Sequence, residues 1–237
     1  MSADVLDQLL IIAAVEREAD ALRAGAADAG RREDVVVIAA GVGRVNAAIS
    51  VTRMLSAGPP PLAIISAGVA GSLPGLDAPR VGDTIVASAS IYHEEGLLHE
   101  DGFSNLAAMG FPLVSGVSGV DGNRFAADPG LASAVLGANP AAILGPVATV
   151  ATCSGTAAQA ESVRRRTGAI AEAMEGAAVL HAAAVFGTPA IELRTISNTT
   201  GDRRAQVWDL DLGLARLREL AATSISPVLA ALRSRHD

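Results

Sequence analysis

The stretch AIAEAMEGAA, residues 169–178, runs from a short apolar strand into an alanine-rich helix, and Glu175 stands at the junction of the two. Removing water from a carboxylate costs several kcal/mol unless hydrogen-bond donors replace it. Sugar hydroxyls are donors of this kind, so Glu175 is a candidate binding residue. The simpler alternative is that Glu175 only occupies a helix start, where the helix dipole favours a carboxylate.

Strands and helices alternate on both sides of this stretch, which predicts an α/β fold. Apolar runs predict further strands at residues 9–14, 35–40, 62–66, 81–88, 143–152 and 190–196. Helices are predicted from residue 16 and over about 47–57, 129–137, 157–166, 176–186 and 207–232, with a break or kink at Pro227. Neither a repeat nor a linker interrupts the pattern, so we expect one domain over residues 1–237.

The composition indicates a protein that acts on a small molecule. Hydrophobic residues make up 50% of the 237 residues, which is enough for one large core. A net charge of −7 with one Trp and one Tyr argues against nucleic acid as a partner. Cys153 is the single cysteine and the four histidines lack ligand spacing, so neither a disulfide nor a metal site is predicted. Apolar runs fall short of the roughly 20 residues of a bilayer span, and no export signal is recognised; a soluble, cytoplasmic protein is expected.

Polar and glycine-rich loops follow the predicted strands at their carboxyl ends, where open α/β sheets bind ligands. Glu18 lies one turn past the end of the first strand. The loop predicted at residues 67–72 contains Gly68, Val69 and Ala70, whose small size lets the backbone approach a ligand closely. A tight turn without a binding role is the alternative.

Three other segments carry candidate loops. Residues 41–46 contain a Gly-x-Gly pair, but Asn46 occupies the place of the third glycine of a dinucleotide fingerprint, so we reject a nicotinamide cofactor. The predicted strand 143–152 ends in Thr152, so Thr152 and Cys153 are expected at the carboxyl ends of the strands, beside the other candidate loops. Residues 92–124 show no sustained period and are predicted to form a long functional loop or lid.

Four segments, taken in order, resemble the purine nucleosidase and phosphorylase superfamily, in its methylthioadenosine/S-adenosylhomocysteine nucleosidase branch. They are the strand and acidic helix start that lead to Glu18, and residues 67–71, 174–178 and 194–198. The resemblance covers nearly the whole chain. It implies a three-layer α/β/α sandwich with a mixed, partly barrel-like central sheet, no metal and no cofactor, a nucleoside substrate and a homodimer.

Asn198 departs from the pattern of the nucleosidases that act on adenine nucleosides, which have aspartate after the serine. The run at residues 197–209 is similar instead to the futalosine hydrolases, which remove hypoxanthine from futalosine. An aspartic acid suits adenine, because the N6 amino group donates beside N7. An amide donates to O6 of hypoxanthine and accepts from a protonated N7, so Asn198 suits a 6-oxopurine. An ordinary turn residue is the alternative.

The same resemblance implies the roles of the site residues. Glu18 activates the attacking water, while Glu175 holds ribose hydroxyls and stabilises the cationic sugar with Met174 packed against it. Asn198 is not an acid. The purine N7 is therefore expected to be protonated by solvent or stabilised by hydrogen bonding.

The 5′ substituent of futalosine ends in an aromatic carboxylate, which requires a cation. Arginine is suited to this task because its planar guanidinium meets a carboxylate with two hydrogen bonds. Arg203 lies in the run that is similar to the futalosine hydrolases and is favoured over Arg204 and Arg44. Phe103 or Phe111 would supply an apolar wall for the aromatic ring.

Three other functions stay open on the sequence. A methylthioadenosine/S-adenosylhomocysteine nucleosidase would prefer adenine nucleosides. Phosphorylases of the superfamily typically have an arginine two residues before the glycine of the third-strand loop, where this chain has Ser66, although Arg44 could face an anion. A nucleoside-binding sensor without catalysis has no need of Glu18.

Overall fold

The computed structural model describes residues 6–235 and contains one sheet of nine strands, with a separate two-stranded hairpin. The strands are β1 (Leu6–Ala13), β2 (Val35–Ala39), β3 (Pro61–Ser72), β4 (Thr84–Tyr92), β5 (Gly96–His99), β6 (Gly102–Asn105), β7 (Val120–Asp121), β8 (Arg124–Ala126), β9 (Ile143–Thr149), β10 (Ala171–Ala173) and β11 (Ala190–Thr199). The helices are α1 (Glu16–Asp28), α2 (Arg44–Ala57), α3 (Pro129–Ala138), α4 (Ala157–Thr167), α5 (Gly176–Phe186) and α6 (Leu210–Arg233).

Part of the sheet closes on itself. The strands follow the order β2-β1-β3-β10-β9-β4-β8-β7, while β11 pairs with both β3 and β4. The β11–β3 pair is parallel and the β11–β4 pair is antiparallel, so β3, β10, β9, β4 and β11 form a closed ring. This mixed, partly closed sheet confirms the predicted fold class.

Helices cover both faces of the sheet. Along β1, Leu9 and Ile11 pack into the core beneath α1, α3 and α6, while Leu10 and Ile12 pack against α2 and α5. Because successive side chains of a strand point to opposite faces, a strand buried on both faces is apolar throughout. The continuous apolar run at residues 9–14 has this cause.

Two predicted strand ends were wrong in a way that matters for the site. Residues 67–72 continue β3 and are not a loop, because their backbone pairs with residues 193–199 of β11. For the same reason β11 reaches Thr199, so Asn198 lies in a strand next to an irregularity of the register and not in a turn. The parallel pairing runs from residue 64 to residue 72 of β3, so the predicted loop is part of the sheet.

Three other boundaries also differ. β9 ends at Thr149, which leaves Thr152 in the following turn. Residues 92–124, predicted without regular structure, contain the β5–β6 hairpin and β7. Helix α6 begins at Leu210 and continues through Pro227 without a break, because Ile225 and Val228 are fully buried on either side of the proline. Within residues 6–235, no helix combines the length and hydropathy needed to span a membrane.

Candidate active site

Glu175 is buried at the junction of β10 and α5, and its side chain makes no capping bond to the helix. One carboxylate oxygen, Oε1, accepts a hydrogen bond from the backbone N–H of Gly43 at 2.9 Å. The other, Oε2, accepts from the backbone N–H of Met174 at 3.3 Å and lies 3.5 Å from Nη2 of Arg194. The carboxylate is therefore turned into the protein, which disfavours the simple helix-start alternative.

Glu18 lies in the first turn of α1 and is 4% exposed. Its Oε2 accepts from the backbone N–H groups of Ala14 and Val15, at 2.9 and 3.2 Å. Its Oε1 accepts from the backbone N–H of Val69 at 2.8 Å. The fold thus joins the end of β1 to the predicted binding segment of β3 through one carboxylate.

Arg194 connects the two glutamates and was not predicted as a site residue. It is 1% exposed, and its pKa is raised although burial alone would lower it, because the charges of Glu192, Glu175 and Glu18 surround it. Its Nε donates to Oε1 of Glu192 at 2.8 Å, and its Nη2 donates to the hydroxyl of Ser66 at 3.1 Å. A buried arginine among carboxylates fixes where their charges lie.

Glu192 supports Arg194 from the same face of β11. It is fully buried and hydrogen-bonded to the hydroxyl of Ser90, and burial raises the pKa of its carboxyl group. The sequence did carry a signal for this pair, because Glu192 and Arg194 are two residues apart in an apolar strand and must share a face. Two charged residues within a buried strand are rare unless they are paired.

Gly68 makes this arrangement possible. It pairs with Arg194 across β3 and β11. A Cβ atom at this position would lie 2.6 Å from Oε1 of Glu18 and 2.7 Å from Nη1 of Arg194. The glycine predicted to let a ligand approach therefore lets two charged side chains approach the backbone of β3.

Asn198 lies near the same end of β3 and is 8% exposed. Its Oδ1 accepts from the hydroxyl of Ser197 at 2.9 Å, and its Nδ2 donates to the carbonyl of Thr199 at 3.0 Å. A Cβ atom on Gly71 would lie 3.0 Å from this Nδ2. The amide is thus held over Gly71, one strand residue from Ala70.

Thr152 and Cys153 lie in the exposed turn between β9 and α4. Burial, followed by the charges of Glu172 and Glu175, raises the pKa of the Cys153 thiol. A raised pKa disfavours the thiolate, which is the nucleophilic form of cysteine. Met174, next to Glu175, is half-buried against the core below α4.

The arginines proposed for the substrate tail differ in their surroundings. Arg44 lies 3.1 Å from a carboxylate oxygen of Glu95 and 3.4 Å from one of Glu94, so its charge is compensated. The guanidinium of Arg203 lies 4.7 Å from the ring centre of Trp208. Trp208 was missed as a possible apolar wall for an aromatic group.

The two phenylalanines proposed from the 92–124 segment have different surroundings. Phe103 lies under the guanidinium of Arg166, with 4.4 Å between the ring centre and Cζ. Phe111 is 68% exposed. Among residues 6–235, no three His, Cys, Asp or Glu side chains converge as a metal site.

Comparison with known proteins identifies the family. Residues 15–233 match the model of the phosphorylase superfamily. The chain is 38% identical to a futalosine hydrolase of Streptomyces coelicolor, covering 81% of this chain and 79% of that protein. It is 34% identical to a futalosine hydrolase of Acidothermus cellulolyticus, covering 90% and 88%. The chain therefore belongs to the phosphorylase superfamily. Within it, the chain is a member of the futalosine hydrolase family.

Solved structures show the same fold at lower identity. A futalosine hydrolase mutant of Helicobacter pylori superposes with a TM-score of 0.67 at 20% identity, covering 97% of this chain and 100% of that one. The methylthioadenosine/S-adenosylhomocysteine nucleosidase of Neisseria meningitidis, in complex with methylthio-immucillin-A, superposes with a TM-score of 0.66 at 22% identity, covering 98% and 100%. Both similarities concern the fold alone.

Proposed function

We propose that the chain hydrolyses the N-glycosidic bond of futalosine and releases hypoxanthine and dehypoxanthinylfutalosine, a step of the alternative menaquinone pathway. The relatives at 38% and 34% identity support this substrate. The observation that carries the proposal is the buried arrangement of Glu18 and Glu175 around Arg194, with Asn198 at the same end of β3. Two buried carboxylates and an amide are the groups that a hydrolytic nucleosidase acting on a 6-oxopurine requires.

Cleavage builds positive charge on the ribose and negative charge on the leaving base, as in other glycoside hydrolyses. Glu175 offers a carboxylate to the ribose hydroxyls and stabilises the cationic sugar. Glu18 accepts the proton of the attacking water. The hydrogen bonds that Glu18 and Glu175 accept from the backbone hold both carboxylates in place, so little reorganisation is needed during the reaction.

Asn198 stabilises the leaving base without giving up a proton. Its amide N–H donates to O6 of the purine and its carbonyl oxygen accepts from a protonated N7. The neighbouring hydroxyl of Ser197 donates to the Asn198 carbonyl oxygen at 2.9 Å, which orients the amide. Solvent supplies the proton for N7.

Hydrolysis is favoured over phosphorolysis by the surroundings of the cations. The position where phosphorylases of the superfamily typically have an arginine is Ser66, whose hydroxyl is buried against Arg194. Arg44 is paired with Glu94 and Glu95, which disfavours a phosphate beside it. Neither position therefore offers the free cation that phosphorylases of the superfamily use to hold phosphate.

Arg203 binds the aromatic carboxylate of the futalosine tail, and Trp208 provides the apolar surface beside it. Their stacking at 4.7 Å and the 51% exposure of Trp208 support this assignment. Replacing Arg203 with alanine should raise KM for futalosine much more than for inosine, which lacks the carboxylate. Equal effects on both substrates would mean that Arg203 supports the loop and not the tail.

The protein functions in the cytoplasm as a homodimer. An apolar surface at the start of α2 supports association: Val42, just before the helix, is 51% exposed, and Val45 and Ile49 within it are 66 and 50% exposed. This surface adjoins Gly43, whose N–H binds Glu175.

Base release from four nucleosides tests the proposed activity. The purified protein is incubated with futalosine, inosine, methylthioadenosine and S-adenosylhomocysteine, and the free base is quantified by chromatography with and without phosphate. Futalosine should be the preferred substrate, and its rate should not depend on phosphate. A preference for the two adenine nucleosides would contradict the proposal, and a requirement for phosphate would identify a phosphorylase.

A further inference from the structure

Glu172 is a buried carboxylate that the proposed mechanism does not use. It lies in β10, three residues before Glu175, and is 5% exposed. Its Oε1 accepts from the backbone N–H of Ser154 at 2.7 Å, and its Oε2 accepts from the hydroxyl of Ser154 at 2.6 Å. Both oxygens therefore hold one residue of the turn that carries Thr152 and Cys153.

A second loop is attached to the first through Ser154. The carbonyl of Ser154 accepts from Nε2 of Gln206 at 3.0 Å. The Oε1 atom of Gln206 accepts from Nη1 of Arg203 and from Nε1 of Trp208, each at 2.9 Å. The backbone N–H of Arg203 donates to the carbonyl of Gly155 at 3.1 Å. Residues 152–155 and 203–208 thus form one hydrogen-bonded unit anchored on Glu172.

This unit borders the amide proposed to read the purine. Trp208 pairs with Asn198 in an isolated antiparallel bridge. On the other side, Glu172 pairs with Gly71 of β3, and a Cβ on Gly71 would lie 3.0 Å from Nδ2 of Asn198. The Glu172 side chain therefore holds the turn with Cys153, while its backbone pairs with the strand on which the Asn198 amide rests.

We propose that Glu172 is a positioning residue for base recognition: through Ser154 it holds the 152–155 turn and the 203–208 loop at a fixed separation around the purine of a 6-oxopurine nucleoside. The inference rests on the proposed function, because it assumes that Asn198 reads the base. A residue of this kind affects the choice of base, whereas a residue needed only for folding lowers the rates for all bases equally.

Glu172→Leu and Glu172→Gln test the inference together. Leucine leaves the N–H and hydroxyl of Ser154 without a buried acceptor, whereas glutamine keeps an acceptor for the N–H and its amide donates to the hydroxyl. Glu172→Leu should weaken hypoxanthine binding, measured by calorimetry, roughly tenfold or more. It should also lower the ratio of kcat/KM for inosine to that for adenosine. Glu172→Gln should stay within about threefold of the wild type in both measurements.

Two controls make the result decisive. Glu161→Gln changes a half-buried glutamate of α4 that pairs with Arg164 of the same helix, and it should leave both measurements unchanged. Ser154→Ala removes only the hydroxyl and should shift both measurements in the same direction as Glu172→Leu, which covers the case in which the leucine variant does not fold. Wild-type hypoxanthine affinity and base ratio in a folded Glu172→Leu variant, or in Ser154→Ala when the leucine variant is unfolded, would overturn the inference. Absence of hypoxanthine binding by the wild type would instead overturn the proposed function, and the inference with it.

Discussion

Glu18 and Glu175 are both buried carboxylates near one arginine, yet their surroundings suit different tasks. Glu18 receives three backbone hydrogen bonds, whereas Glu175 receives two and lies near the Arg194 guanidinium. Fixed backbone donors hold the Glu18 carboxylate in one orientation, as a general base requires. Glu175 instead has a long 3.5 Å contact with the Arg194 guanidinium, and its carboxylate can exchange this contact for hydrogen bonds from ribose hydroxyls.

Replacing Glu18 with glutamine should leave nucleoside binding largely intact and remove most turnover. The amide keeps the shape of the side chain but does not accept a proton, and losing a general base typically costs about 10²- to 10⁴-fold in kcat. Steady-state kinetics with futalosine and calorimetric binding measure the two effects. Glu175→Gln should reduce both. Glu16→Gln, in the exposed part of the same turn, is the control; unchanged kcat for Glu18→Gln would exclude the proposed role.

Replacing Gly68 with alanine should abolish activity in a folded protein. The added methyl would lie 2.6 Å from the carboxylate of Glu18 and 2.7 Å from Arg194, so both side chains must move. Overpacking of this kind costs about 1–3 kcal/mol of stability. Gly75→Ala, where a Cβ meets nothing within 4 Å, is the control for both kinetics and thermal unfolding. Normal turnover by Gly68→Ala would show that the observed carboxylate position is not needed.

Replacing Asn198 with aspartate should shift preference from 6-oxopurine toward 6-aminopurine nucleosides. A carboxylate repels O6 of hypoxanthine and accepts from N6 of adenine, and an unpaired buried polar group costs about 1–3 kcal/mol. The ratio of kcat/KM for inosine to that for adenosine should therefore fall roughly tenfold or more. A ratio equal to that of the wild type would mean that Asn198 does not read the base.

At the residue scale, the sequence predicted Glu18 and Glu175 as site residues but not Arg194, the cation between them. Glu18 and Glu175 follow strand ends, which the pattern of apolar runs indicates. Arg194 and Glu192 lie inside an apolar run, and a single sequence does not tell which buried strand lies opposite them. Their partner Ser66 belongs to β3, more than 100 residues away in the chain.

At the element scale, the helices were predicted more closely than the strand ends. Asp128 and Pro129 begin α3 as their local chemistry requires, since the Asp128 side chain accepts from the N–H groups of Gly130 and Leu131. The extent of β3 and β11 depends instead on their pairing with each other. Glycine and alanine in residues 67–71 have low strand propensity, and the tertiary contact overrides it.

Replacing Asp128 with alanine should lower the free energy of unfolding by about 1–2 kcal/mol at pH 7, through loss of the cap and of a partly exposed ion pair with Arg235. Hydrogen bonding from Arg235 is the largest cause that lowers the pKa of this carboxyl group below its usual 3.8. A carboxylate whose pKa is lowered by folding stabilises the folded protein when the pH is above the pKa of the unfolded state. This stabilisation is lost as the pH falls through the pKa of the folded state.

The difference in free energy of unfolding between the wild type and Asp128→Ala should therefore become smaller when urea unfolding is repeated below pH 3.8, the usual pKa of the group. Asp77→Ala, an exposed loop residue, provides the matched control and should show no such dependence. If the difference in free energy of unfolding does not change with pH, the Asp128 cap stabilises the helix without a contribution from its charge.

At the scale of the whole molecule, the apolar surface of α2 should mediate the proposed homodimer. Val45→Asp places a charge where the side chain is 66% exposed, so the fold of one subunit should tolerate it. Sedimentation equilibrium should show a dimer for the wild type and a shift toward the monomer for this variant. Leu144→Asp, at a 52% exposed position in β9, should stay dimeric. Dimers of equal stability in both variants would place the interface elsewhere.

The closed ring of β3, β10, β9, β4 and β11 has a consequence for the thermodynamics of substrate binding. Each of these strands has hydrogen-bonded neighbours on both sides, so none frays without breaking two ladders. The ordering entropy of Gly68, Arg194 and Asn198 is consequently lost when the chain folds and not when the nucleoside arrives. Preorganisation of this kind leaves the ligand's own immobilisation as the main entropic cost of binding.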